Sequence, residues 1–198
     1  MTGEIIHTRP AVADDASTIV EMHRALAEFC NYPAGAFNLS EEQVLDTINN
    51  PAHYESYLVA EDSFVEEQEI GGFAYISRTP LSWNGRRGIY IEDLFVWPEF
   101  RGNFNIGTSL LAHAAACAID YADGDADHAY IRLDTAHNNN DATLGFYRSK
   151  GFDSHNTNLR MQGDRIKELA NLAIITPRMT TPISLASADL GSSPVQPK

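Results

Sequence analysis

The chain has 198 residues, of which 43% are hydrophobic and 21% charged, close to average globular usage and enough to bury a core without metal or disulfide staples. These proportions exclude a wholly disordered chain, a collagen-like fibre and a disulfide scaffold. Fourteen Lys and Arg against 27 Asp and Glu leave a net charge of −13, which argues against non-specific binding to nucleic acid or to an anionic membrane.

The acids are unevenly placed. Residues 1–70 hold 14 acids against Arg9 and Arg24 alone, or −12, whereas residues 71–198 hold 13 acids and 12 bases, or −1. An acidic first third suits a cationic substrate beside an anionic cofactor; it equally suits a solvated surface kept for solubility.

In chain order, residues 4–9 read as a short strand closed by Pro10. Asp14 or Asp15 then caps a helix reaching Phe29, with Ile19, Met22, Leu26 and Phe29 at helical spacing on one face. A second helix opens at Ser40, where Ser40 and Gln43 fit the capping box; Val44, Leu45 and Ile48 form its apolar stripe and Pro51 ends it. Residues 57–61 and 70–78 read as an antiparallel pair of strands, and 88–97 is the most β-rich stretch of all. After Pro98 the period becomes helical, with an Ala- and Leu-rich helix from Thr108 to Tyr121, stopped near Asp123 and Gly124. Residues 128–135 form a further strand, and a helix from Asp141 to Lys150 closes on Gly151, where a left-handed residue is needed. A last strand near 159–164 and a last helix over 165–173 complete a domain spanning 1–175. Residues 176–198 hold four prolines and no periodic pattern, and read as a disordered tail. The order implies an α+β fold whose sheet is mixed in direction, with one crossover making a parallel pair.

Cys30 and Cys117 are too few for a disulfide framework, and Cys117, inside an Ala-rich run, reads as a small buried thiol. The seven histidines show neither HxxxH nor HxH spacing, so no metal is expected. No apolar run approaches the length of a membrane span and the first residues do not read as a signal peptide, so a reduced, cytoplasmic protein is the expectation.

Three constellations carry chemistry. In the first, Arg101-Gly102-Asn103-Phe104-Asn105-Ile106-Gly107-Thr108 joins a strand to a helix. Glycines there let the backbone approach a bulky anion, and the free N–H groups of the first helical turn favour a phosphate; any tight strand–helix turn can also use two glycines. In the second, Asn140 stands two turns before Tyr147 on one helix, whose tyrosine is either a core residue or a functional one. In the third, Glu92-Asp93 interrupts an apolar strand, a costly placement unless the acids are paired or used. Simple alternation puts Tyr90, Glu92, Leu94 and Val96 on one face and Ile89, Ile91, Asp93 and Phe95 on the other.

Together these motifs resemble the GNAT superfamily of N-acetyltransferases: Tyr90-Ile-Glu-Asp-Leu-Phe-Val96, then Arg101 through Thr108, then Asn140 through Phe152, in the family's order over residues 4–170. Arg9-Pro10-Ala11 with Asp14, and Gly72-Phe73-Ala74-Tyr75 with Trp83 eleven residues after Gly72, are most similar to the diamine (spermidine/spermine or thialysine) N-acetyltransferases. The resemblance implies a mostly antiparallel mixed sheet with helices on both faces and splayed central strands. It implies transfer of acetyl from acetyl-CoA to a primary amine of a small cationic substrate, with Tyr147 as the acid that protonates the departing sulfur. Glu92 is then the base, acting through a water. Backbone groups of Leu94, Phe95 and Val96 would pair with the pantetheine arm, residues 101–108 would hold the pyrophosphate, and Asn140 and Lys150 would lie along the cofactor. Phe29, Trp83, Glu92, Asp93 and Asp134 would line the amine site. Asn105 stands where the family has its middle glycine, and asparagine tolerates left-handed φ. Leu81 and Cys30 stand where the diamine enzymes carry acids. Another amine (an aminoglycoside, an amino acid or a peptide N-terminus) and a silent acyl-CoA-binding module are the alternatives. A homodimer is expected, because such family members commonly pair and the C-terminal elements look too short to close the sheet.

Overall fold

A computed structural model of the chain describes residues 6–33, 35–50, 55–62, 69–79, 85–102, 105–135, 141–155, 158–162 and 164–173. The expected tail at 176–198 and the helix-ending Pro51 lie outside them.

Strand β1 (Ile6–Pro10) leads into helix α1 (Ala16–Phe29) and helix α2 (Glu41–Asn49). Strands β2 (Glu55–Asp62), β3 (Glu69–Thr79) and β4 (Arg87–Val96) follow, then helix α3 (Ile106–Tyr121), strand β5 (Ala129–Asp134) and helix α4 (Asp141–Ser149). Strands β6 (Asp153–His155) and β7 (Asn158–Gln162) and helix α5 (Asp164–Ala173) come last among the described residues. Among the described residues one seven-stranded sheet runs in the order β1-β2-β3-β4-β5-β7-β6. All its pairs are antiparallel except β4–β5, the parallel pair the single crossover through α3 demands.

The α2 capping box forms as the sequence predicts: Ser40 Oγ accepts from Gln43 N–H at 3.3 Å and Gln43 Oε1 accepts from Ser40 N–H at 2.9 Å. The α1 start differs. A short 3₁₀ turn at Ala13–Asp15 precedes it, and the Asp15 carboxylate turns back to take two bonds from Arg9, at 2.6 and 3.0 Å, and one from Val12 N–H at 2.7 Å. Arg9 also donates to Glu61 at 2.9 Å through Nε. This buried ion cluster pins β1 to β2 and to the entry of α1.

Helices cover both faces. On one, α3 buries Leu110, Leu111, Ala114 and Ala118 against Leu58, Ala74, Ile76, Ile89, Ile91 and Ile131, with Ile166 and Leu169 of α5 in the same core. On the other, α1 and α2 place Ile19, Met22 and Val44 against Tyr57, Val59, Phe73 and Phe95. Phe29 departs from the expected α1 stripe: it is 51% exposed.

Where the sequence predicts a single last strand near 159–164, the structure has the hairpin β6–β7. β7 pairs with β5 and β6 with β7, so the C-terminal elements extend the sheet themselves and the topological argument for a dimer falls away.

Candidate active site

The site begins with an extra residue in β4. Asp93 opposes Tyr75 and Ile91 opposes Ile76, so Glu92 has no counterpart on β3 and forms a β-bulge. A bulge resets the two-residue alternation. Ile89 and Ile91 join the α3 core, and so do Leu94 and Val96 beyond the bulge; Phe95 joins the α1/α2 core with Phe73. The sequence alternation, which grouped Asp93 and Phe95 with Ile89 and Ile91, is therefore corrected. The consequence is chemical. Ser77 Oγ donates to Glu92 Oε1 at 2.8 Å and His23 Nδ1 of α1 lies 3.5 Å from Asp93 Oδ2, so both acids share the face covered by α1.

That face is rich in acid and aromatic groups. Tyr57 and Tyr75 stack with ring centroids 4.5 Å apart, Tyr75 donates to Glu55, and Tyr90 donates to Asp134 at 3.1 Å. Burial, reinforced by the neighbouring Glu92 charge, pushes the Asp93 carboxyl up to about 6. Burial drives His23 down to about 4, so its ring is neutral at pH 7. Cys30, at the end of α1, is raised by burial and then by the Asp93 charge.

The bulge also marks where β4 leaves β5. Their parallel register runs from Arg87↔Ala129 to Ile91↔Leu133, while β4 stays paired with β3 to Val96↔Gly72. Trp97 N–H donates to Gly71 C=O at 3.0 Å, which makes Val96–Gly72 a non-hydrogen-bonded pair. By the alternation of an antiparallel ladder, Leu94 and Val96 aim their N–H and C=O groups away from β3 into the opening between β4 and β5. Arg101 Nε caps the Val96 carbonyl at 2.8 Å, and its guanidinium lies between the rings of Phe29 and Phe95 at 5.4 and 5.5 Å.

At the mouth of this opening stands the start of α3. The helix begins at Ile106, two residues earlier than the sequence predicts, with Asn105 as a left-handed N-cap at φ 53°. The first helical bond runs from Ser109 N–H to Asn105 C=O at 2.9 Å. The N–H groups of Ile106, Gly107 and Thr108 therefore precede the ladder, and the Asn105 side chain does not cap them. Gly72 explains how α3 can start so close to β3: a Cβ there would sit 2.8 Å from Ile106 Cγ2 and 2.9 Å from the Phe95 carbonyl. Gly107 answers a different need, since its Cβ would press on the Phe146 ring at 3.1 Å.

Tyr147 of α4 is 8% exposed and packs edge-on between Phe146 and Phe152. Burial first, and the Asp93 charge second, push its hydroxyl up to about 12, so it holds its proton at neutral pH. Lys150 lies over Phe146 and lines an open cleft of about 720 Å³ with Arg148, Phe152 and Arg165. Trp83, Leu81, Asn103, Phe104 and Asn140 lie outside the described residues. His23 is the site residue that sequence reasoning missed; its one signal was a histidine directly after Met22 on the buried side of α1. Among the described residues, no group of three or more His, Cys, Asp and Glu is placed to hold a metal ion, and no helix is long and apolar enough to cross a membrane.

A β4 edge that leaves β5 beyond Ile91, a helix start whose first N–H groups precede its ladder and a buried tyrosine that feels the Asp93 charge fit an acyltransferase of the GNAT architecture. A family model described as Acetyltransferase (GNAT) domain matches residues 53–154, just over half of the chain, and the chain belongs to that family. Among solved structures it resembles a Trypanosoma brucei acetyltransferase (24% identity, TM-score 0.53, covering 76% of this chain and 94% of that one). It also resembles a phosphinothricin acetyltransferase from Sinorhizobium meliloti in complex with AcCoA (19%, 0.58, 79% and 88%). A third likeness is to an aminoglycoside acetyltransferase from an uncultured soil metagenomic sample in complex with sisomicin (16%, 0.56, 77% and 91%). No curated protein matches. The chain is an acetyl-CoA-dependent N-acetyltransferase, and the open edge and the α3 start fit that co-substrate.

Proposed function

We propose that this acetyltransferase acts on a primary amine of a small cationic, diamine- or polyamine-like molecule. The observation that carries the reading is the bulge, which brings Glu92 and Asp93 onto one face with Glu55 and Asp134. A cation entering there meets carboxylates and stacked tyrosine rings, both attractive to it. An aminoglycoside, the ligand class of one structural neighbour, is also a polycation and is the second reading.

Acetyl-CoA supplies the activated acetyl group. In this reading its pantetheine arm takes the ladder groups of Leu94 and Val96, and residues 101–108 hold its pyrophosphate, with Lys150 and Asn140 further along. Phe29, Trp83, Asp93 and Asp134 surround the amine. An ammonium of pKa near 10.4 is not nucleophilic, so Glu92 removes its proton through a water. Tyr147 gives its proton to the sulfur as the C–S bond breaks.

The test is release of free thiol from acetyl-CoA over a panel of diamines, aminoglycosides, amino acids and peptides. Fastest turnover of diamines supports the reading, preference for aminoglycosides moves it to the second, and silence with every amine marks an acyl-CoA-binding module. In the same reading two copies pair in a reduced cytoplasm; a single-chain mass by light scattering at micromolar concentration rejects the pairing.

A further inference from the structure

His23 occupies a place where an apolar residue would be cheaper. It is 9% exposed, and its ring sits 4.5 Å from Phe73, 5.7 Å from Tyr57 and 6.2 Å from Tyr75, centroid to centroid. Its Nε2 is buried with no hydrogen-bond partner among the described residues, and leaving a polar atom so placed costs stability. A leucine would fill the space without that cost. The other ring nitrogen is the one with a counterpart: Nδ1 faces Asp93 Oδ2 at 3.5 Å.

We propose that His23 is a positioning residue for Asp93, its Nδ1–H holding that carboxylate ionised and turned toward the amine beside Tyr147, so that Asp93 receives the amine's first proton and passes it to Glu92 and solvent. The inference rests on the acetyl-transfer reading above. An ionised carboxylate only accepts, so the Nδ1 nitrogen carries the proton and Nε2 is left as a bare acceptor among the rings. Burial keeps the imidazole neutral at pH 7, so it acts on Asp93 as a dipole and does not compete with the amine as a cation. The groups that face Asp93 from the packed elements are Glu92 on its own strand, Tyr57 on β2, His23 and Cys30 of α1 and Tyr147 of α4. Burial first and the Glu92 charge second raise the carboxyl; in this proposal the His23 N–H, 3.5 Å away, is the group that limits the rise. A base poised just below neutrality results.

The protons balance. The ammonium's first proton reaches Glu92 and then solvent by way of Asp93, which joins the water in the relay to that base, and the freed amine forms the C–N bond. The nitrogen then sheds a second proton by way of Glu92 and water. The electron pair of the broken C–S bond goes to sulfur, which takes the Tyr147 proton, and Tyr147 is refilled from solvent, so one proton is released per turnover.

The test compares His23→Leu, which keeps bulk and removes the donor, with His23→Asn, which keeps an N–H near the Nδ1 position. Should His23→Leu fail to fold, His23→Gln, whose N–H stands near the Nε2 position, takes its place. Two readouts are taken: the carboxyl carbon-13 titration of Asp93, assigned with Asp93→Asn, and the acid limb of kcat/KM. Loss of the donor is expected to raise both midpoints by about one pH unit, and His23→Asn to return both toward wild type. Unmoved midpoints in His23→Leu, or equal shifts in Leu and Asn variants, overturn the proposal. Because the titration needs no turnover, shifted midpoints in an enzyme silent toward every amine would keep the His23–Asp93 pair and discard the acetyl-transfer reading. Brisk turnover with unmoved midpoints would do the reverse.

Discussion

Ser77 on β3 donates its hydroxyl proton to Glu92 on β4 at 2.8 Å, across the point where β4 carries one residue more than its neighbour. The bond turns the extra residue's carboxylate onto the α1 face, next to Asp93, where the Glu92 charge helps to hold the Asp93 proton. Two adjacent acids thereby act as a unit, which ordinary strand geometry forbids.

This coupling has a sign that pH can read. Asp93 must be ionised to accept a proton, so kcat/KM is expected to rise as pH climbs through about 6. Glu92→Gln removes the charge that raises Asp93; the rate falls and the acid limb moves to lower pH. Asp93→Asn abolishes the limb. A Glu92→Gln limb displaced upward would contradict the arrangement.

Tyr147→Phe keeps a ring already packed between Phe146 and Phe152. Loss of a positioned acid lowers kcat by roughly 10²–10⁴-fold with little change in amine KM. Stability should change by only about 1 kcal/mol, read by thermal melting. Wild-type kcat in this variant, with chemistry shown to be rate-limiting, would make Tyr147 a packing residue only.

The start of α3 offers a change whose two effects have opposite signs. Thr108→Glu adds an anion to the first turn of a helix that has no acidic residue there and whose N-cap side chain makes no capping bond, which stabilises the free protein by about 0.3–1 kcal/mol. The same charge repels a pyrophosphate held there, so calorimetry should show weakened CoA binding in a protein with an unchanged or higher Tm. Gly107→Asp is a poorer probe, because its Cβ would also displace Phe146.

Arg9 binds two carboxylates that are each about 5% exposed, Asp15 and Glu61. Arg9→Met strands both charges and should cost about 3–5 kcal/mol in urea unfolding. Adding Asp15→Asn and Glu61→Gln should restore part of that loss, since fewer uncompensated charges are then buried. No recovery in the triple variant would assign the loss to packing of the Arg9 side chain.

Much of this molecule follows from local chemistry alone. The capping box of Ser40 and Gln43, the left-handed Gly151 after α4 (φ 89°), the strand cores and the long apolar α3 depend on near neighbours in the chain, so their residues announce them. The order of strands and a single long crossover suffice for the mixed sheet and its one parallel pair. Asn105 in the glycine-bearing joint was legible because asparagine, among non-glycine residues, readily takes positive φ. Other features were decided only by partners distant in sequence. The bulge at Glu92 exists because Tyr75 and Ile76 pair with Asp93 and Ile91, and no local pattern encodes which residue of a strand will be left without a counterpart. α3 starts at Ile106 because Gly71 and Gly72 on β3 leave room for that side chain. His23 belongs to the site because folding lays α1 across β2, β3 and β4, and its meaning lies entirely in Asp93, seventy residues along the chain. Period and propensity are properties of a segment; the pairing register and the neighbours of a buried ring are properties of the closed fold.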